Sequence, residues 1–237
     1  MTTTITAIGI GATISAALTH LTYSAAHRHR SAHDIVPLVE TSMDIYTREA
    51  KRDLVMDLPG LTYDPGFKQF SGYLTVDEHH GRKIHYWYIE SQGSPSDDPV
   101  VFWTNGGPGC SGLLGFGLEH GPYFYSDSGK LSPNPYSWNV IANMLYVEQP
   151  AGVGYSYSDT QSDYSTGDQQ AAVDNYILIR EFLSRFPERQ DNDFYIASES
   201  YGGHYMPQRK LAFILRLFRY VLWIPLTHSP LSHLISN

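Results

Sequence analysis

The sequence predicts an α/β fold, a doubly wound and mostly parallel sheet with helices packed on its faces, and three observations carry that prediction. Three short apolar runs, at 99–104, 144–150 and 193–197, have the length and continuity of buried parallel strands. Between the second and third, apolar residues recur at spacings of four and three, the period of a helix with one apolar face. Strand, helix and strand in that order make a βαβ unit, which places its helix on one face of the sheet.

In chain order, residues 1–26 hold a weakly apolar stretch at 5–18 and end in small residues at Ser24 and Ala26. This is the outline of a signal peptide, although no basic residue precedes the apolar part; a disordered Thr/Ala-rich leader is the other reading. Residues 27–56, opening with HRHRSAH, read as a pro-segment or linker, and PGLTYDPGF at 59–67 reads as loop. Runs 70–76 and 83–90 flank the polar DEHHG at 77–81 and predict a hairpin at a sheet edge. In the second run His85, Trp87 and Ile89 alternate with Ile84, Tyr86 and Tyr88.

PVVFWT at 99–104 feeds the glycine-rich NGGPGCSG, the pattern of a buried strand leading into a functional loop, and MLYVEQP at 144–150 is a second such strand. The helix predicted over 167–186 places Ala172, Tyr176, Ile179, Leu183 and Phe186 on its apolar face and stops at Pro187. DFYIA at 193–197 then runs directly into SESYGG. There is no internal repeat.

A chain of 237 residues with 42% hydrophobic and 17% charged content has enough apolar material for one substantial core, which argues against disorder. The formal charge of -8, with no Lys/Arg cluster away from the two ends, leaves no basic stripe for phosphates and excludes a nucleic-acid partner. The 18 Tyr and 10 Phe suit a deep cleft and a large core equally.

Two constellations carry chemistry. A serine directly after a buried strand, with small residues two positions to either side, has the arrangement of a nucleophile elbow, in which strand and helix nearly touch. Ser200 holds that position between Ser198 and Gly202, with Ser198 standing where a glycine is usual. The second is WTNGGPGCSG at 103–112, where successive glycines free backbone N–H groups to face a ligand oxygen.

WTNGGPGC, followed by LEHGP, NPYSWN, YVEQPAGVGYSYS and ESYGGHYMPQ, resembles the ordered motif series of the serine carboxypeptidase family of α/β-hydrolases, over residues 57–208. The resemblance implies that Ser200 is the acyl-forming nucleophile and that the backbone N–H groups of Gly107 and Tyr201 form the oxyanion hole. It implies that Asn105, Gly106 and Glu199 bind the free C-terminal carboxylate of a peptide, with Glu119 pairing with Glu199. It implies no metal and no organic cofactor. A carboxylate is ordinarily held by Arg or Lys, but here an amide and two carboxylic acids stand instead, and the acids donate to it only when at least one is protonated. Two close carboxyls do not comfortably both ionise, so binding is expected to favour acidic pH.

The pattern breaks after Gln208. In this fold the triad runs serine, acid, histidine along the chain. The 37 residues after Ser200 contain no Asp or Glu, and their only histidines are His204, His228 and His233. The triad is therefore not completed by the family's pattern, and the chain as it stands is expected to be inactive, with a sheet edge left open. The tail 209–237 reads as a truncated or misread product. An amphipathic membrane-surface helix carrying Arg209, Lys210, Arg216 and Arg219 is the alternative, and the run is too interrupted for a stable membrane span. Cys110 is the only cysteine, and the resemblance implies a disulfide partner farther along.

The expected function is that of a secreted or vacuolar/lysosomal serine carboxypeptidase acting on peptide or protein C-termini. An acyltransferase of the same family and a noncatalytic carboxypeptidase-like binding protein are the alternatives.

Overall fold

The computed structural model describes residues 43–205 and the two-residue strand at 225–226. In chain order these form α1 (Arg48–Asp53), β1 (Gln69–Asp77), β2 (Arg82–Ile89), β3 (Val100–Thr104), β4 (Tyr123–Tyr125), β5 (Leu131–Pro133), β6 (Asn143–Glu148), α2 (Asp168–Arg185), β7 (Phe194–Glu199), α3 (Gly202–Tyr205) and β8 (Pro225–Leu226). Six strands make one sheet in the order β1-β2-β6-β3-β7-β8, and β4 and β5 pair separately. β1, β2 and β6 are antiparallel neighbours, while β6, β3, β7 and β8 run parallel. The predicted hairpin is present, with β1 at the sheet edge.

The chain leaves β3 for β6 on one side, then crosses through α2 to β7 on the other. The carboxyl end of β3 is thus a topological switch point, where such sheets open a crevice for ligands. The glycine-rich loop leaves β3 at this end.

Pleating sends alternate residues to opposite faces, and both faces are covered. Phe102, Leu145, Val147, Phe194 and Ile196 pack with Leu178, Ile179, Phe182 and Phe186 beneath α2. Trp103, Met144, Tyr146 and Ala197 point the other way, against Phe116, Tyr123 and Leu131 from the excursion between β3 and β6. Continuous apolar strands are the consequence of this double coverage.

The stripe on α2 differs from the sequence expectation. Ala172, Ile179 and Phe186 are buried as expected, but Tyr176 and Leu183 lie at its margin, and Ala171, Asp174, Asn175, Leu178 and Phe182 are buried instead. The physical reason is Arg82, itself buried, whose guanidinium lies 3.1 Å from Asp174, 2.7 Å from Asp163 and 3.2 Å from Asp77. Asp174 of α2 faces inward to meet that network, so apolar periodicity alone misplaces the face.

Within 27–56, read as pro-segment or linker, residues 43–56 include α1, capped by Thr47, whose side chain accepts from the Ala50 N–H. Tyr46 and Ala50 belong to the core. The tail readings at 209–237 lie outside the described residues apart from β8, which pairs Pro225 with Ser198 and Leu226 with Glu199. Among the described residues no helix is long and apolar enough to cross a membrane.

Candidate active site

Ser200 sits immediately beyond β7 with φ of 52°, the only non-glycine residue at positive φ among those described. A side-chain-bearing residue persists in that conformation only where its surroundings fix it, and the surroundings here are close. A Cβ added to Gly202 would fall 1.6 Å from Ser198 Oγ, so the turn closes only with glycine. Ser198 is fully buried and its hydroxyl donates to the Thr104 carbonyl at 2.5 Å, tying β7 to β3. This satisfied hydroxyl explains how serine replaces glycine two positions before Ser200. Gly202→Ala is expected to cost about 1–3 kcal/mol by overpacking, measured by urea unfolding, and adding Ser198→Gly is expected to recover part of the loss.

The glycine-rich loop lies directly against the elbow. A Cβ on Gly106 would come within 2.6 Å of both the Glu199 carbonyl and the Tyr201 nitrogen. Gly107 follows at φ of 107°, and the loop closes with the Cys110 N–H donating to the Gly106 carbonyl at 3.1 Å. Tyr205 of α3 accepts from the Gly109 N–H at 3.2 Å and holds the loop from behind. Ser200 itself is exposed. His204 is the only histidine after it among the described residues, and its ring packs 4.8 Å from that of Tyr201.

Asn105, Glu119 and Glu199 converge although 94 residues separate the first and last. The Asn105 side-chain amide is 2.8 Å from Glu199 Oε1 and 3.5 Å from Glu119 Oε1. Its oxygen is doubly occupied, accepting from the Trp103 indole at 2.8 Å and the Gly115 N–H at 3.1 Å. Those two donors fix which way the amide faces and turn its NH₂ to the carboxylates. Burial, with the Glu199 charge second, raises the Glu119 carboxyl above its usual range, and the hydrogen bond from Asn105 opposes this. The site therefore favours the protonated form of the Glu119 carboxyl more than water does.

Glu119 is carried by a π-helical turn, Gly115–Glu119, that the sequence did not announce. The orienting roles of Trp103 and Gly115 were also missed. Trp103 is two residues before Asn105, which directly follows β3, and that two-residue spacing is the signal that points to it. His120 is buried between Trp103 and Trp138, with ring centroids 4.2 Å from each, and burial lowers its pKa to about 3. It stays neutral beside the acidic pair. Among the described residues no group of three or more His, Cys, Asp or Glu is arranged to hold a metal.

The parallel strands, the strained serine turn and the glycine loop at the switch point define an α/β-hydrolase. A family model described as serine carboxypeptidase matches residues 59–215, and the chain belongs to the serine carboxypeptidase family. It is 50% identical over 165 residues to serine carboxypeptidase-like 26 of Arabidopsis thaliana, covering 68% of this chain and 36% of that protein. It is 48% identical over 157 residues to the lysosomal protective protein of Mus musculus, covering 66% and 32%. Among solved structures it is similar to a prohormone-processing carboxypeptidase from Saccharomyces cerevisiae, with TM-score 0.60, 25% identity, and coverage of 70% of this chain and 39% of that one. The chain thus spans about a third of the length of these curated relatives.

Proposed function

We propose that this chain contributes the nucleophile and the substrate-carboxylate site of a serine-type carboxypeptidase that releases C-terminal residues through an acyl-enzyme at acidic pH. The observation that carries the reading is the Asn105 amide held between Glu119 and Glu199, next to the Ser200 elbow. Ser200 Oγ attacks the carbonyl of the terminal peptide bond. The N–H groups of Gly107 and Tyr201 receive the developing oxyanion, where one donor is typically worth about 3–4 kcal/mol. Asn105 and the protonated carboxyl pair, with the Gly106 backbone, hold the free carboxylate of the departing residue. Release also requires a general base that takes the Ser200 proton and returns it to the departing amine.

The test is a pair of peptides, one with a free C-terminus and one amidated, offered to the whole enzyme. Release from the first alone supports the reading, and equal release from both contradicts it. The raised Glu119 carboxyl supplies a second check. A folded-state pKa above the unfolded value of 4.5 gives stability that is complete below that value and lost as pH rises through the folded pKa. Glu119→Gln is expected to abolish that loss, measured by urea unfolding across the acidic range. Peptide release by the whole enzyme is likewise expected to fall from about pH 4 to about pH 8 as the pair ionises.

A second reading is a noncatalytic protein that binds peptide C-termini in the same cleft. Peptide binding without release by the whole protein distinguishes it. A family acyltransferase would instead pass the acyl group to an alcohol. The expected route is secretory, ending outside the cell or in a vacuole or lysosome, a reading supported by the predicted leader and the named lysosomal relative.

A further inference from the structure

Away from Ser200, a second serine is engaged by an imidazole and a carboxylate. Ser71 Oγ on β1 is 3.0 Å from His85 Nε2 on β2, and His85 Nδ1 is 3.0 Å from Glu148 Oε2 on β6. Four strand spacings, about 19 Å, separate β1 from the nucleophile strand β7. The imidazole and Glu148 are buried, whereas Ser71 is half-exposed on β1.

The chemistry of this row follows from Glu148. Burial opposes its ionisation, but the His85 imidazole 3.0 Å away and hydrogen bonds from the Ser111 hydroxyl and the Tyr155 N–H outweigh that and hold the carboxyl below its usual range. An anionic Glu148 facing Nδ1 keeps the imidazole proton there and leaves the Nε2 lone pair on the Ser71 hydroxyl. That is the arrangement in which an imidazole serves as general base to a serine, the carboxylate stabilising the imidazolium that forms. The surrounding surface is aromatic. Tyr73 and Tyr155 pack edge-on to His85 at 5.4 and 5.3 Å, Tyr157 packs on Tyr73 at 5.4 Å, and all three rings reach solvent.

We propose that Ser71, His85 and Glu148 form a second activated-serine relay that captures acyl or phosphonyl groups from small aromatic electrophiles such as aryl esters. Ser71 Oγ attacks the ester carbonyl and its proton passes to His85 Nε2. As the bond to the aryl oxygen breaks, the aryloxide leaves as the phenol by taking that proton, and the acyl group remains on Ser71. With a fluorophosphonate the new bond is O–P, the broken bond is P–F, and the proton leaves with fluoride. This inference does not depend on the carboxypeptidase reading.

The test treats the full 237-residue chain, carrying Ser200→Ala so that the elbow cannot react, with a fluorophosphonate and follows the adduct by mass. Cleavage after Lys68 and Arg82 gives a peptide, residues 69–82, in which Ser71 is the only serine. One phosphonyl group on that peptide is expected, lost with Ser71→Ala and slowed about 100-fold or more with His85→Gln. Urea-unfolded protein provides a comparison that needs no further variant, and there the labelling is expected to vanish. Labelling of Ser71 no faster than of other surface serines, labelling unchanged by His85→Gln in a folded variant, or labelling that persists in urea would each overturn the proposal.

Discussion

Replacing Ser200 with alanine in the whole enzyme is expected to lower peptide release about a millionfold, because nucleophile and base act as one unit and neither works without the other. The turn at Ser200 is built for one purpose that packing does not require. Its φ of 52° lifts an exposed hydroxyl above the sheet, while Ser198 and Gly202 below it are fitted so tightly that no added Cβ is tolerated at Gly202. The substitution removes only that hydroxyl, so stability and peptide binding are expected to stay near the parent values. Steady-state release of a peptide's terminal residue, with binding measured separately, checks both halves. A loss smaller than about tenfold would mean that Ser200 is not the attacking group, since one order of magnitude corresponds to only about 1.4 kcal/mol.

The largest expected loss of stability lies elsewhere, at Arg189. Its guanidinium and the Glu90 carboxylate are both nearly inaccessible and meet at 2.7 Å. Arg189 also donates to the Tyr88 hydroxyl at 2.8 Å and to the Pro95 carbonyl at 2.8 Å, and Tyr46 donates to Glu90. Taken whole, such a pair contributes little net stability because desolvation offsets the attraction. Removing one partner is different, for it strands the other charge. Arg189→Ala is expected to cost about 3–5 kcal/mol, read from the urea midpoint with the slope unchanged. Arg189→Ala with Glu90→Gln is expected to be less damaging than Arg189→Ala alone, since the stranded charge is gone.

The parts of the fold legible in the sequence are those with one dominant period. β3, β6 and β7 are short apolar runs because both sheet faces are covered, and the β1–β2 hairpin declares itself by two strand-like runs around a polar turn. Elements held by one or two contacts were not legible. α1 is six residues, mostly charged, with Ala50 alone buried, so its sign is the Thr47 cap and not a stripe. β4 and β5 bury one residue each, Tyr123 and Leu131. The inward-facing Asp174 of α2 could not be read from periodicity, because its reason is Arg82 on β2.

The site divides in the same way. Asn105, Glu119, Glu199 and Ser200 were named from motifs, and the first three are brought into one hydrogen-bonded group beside the fourth. What the motifs lacked was the direction of the Asn105 amide, which depends on the Trp103 indole and the Gly115 N–H reaching one oxygen. The Ser71–His85–Glu148 row was equally hidden, since it spans three strands and needs their register. Ser71 sits opposite Trp87, so its reach to His85 runs diagonally across the hairpin.

The most direct measurement treats the whole enzyme, purified from its source at acidic pH, with a fluorophosphonate and maps the adduct by mass spectrometry. Cleavage after Arg189 and Arg209 isolates the elbow in a peptide, residues 190–209, whose only serines are Ser198 and Ser200. Rapid modification at Ser200, blocked by a peptide with a free C-terminus and not by its amide, is the predicted result. Modification of Ser200 no faster than of an ordinary surface serine would contradict the account at its centre.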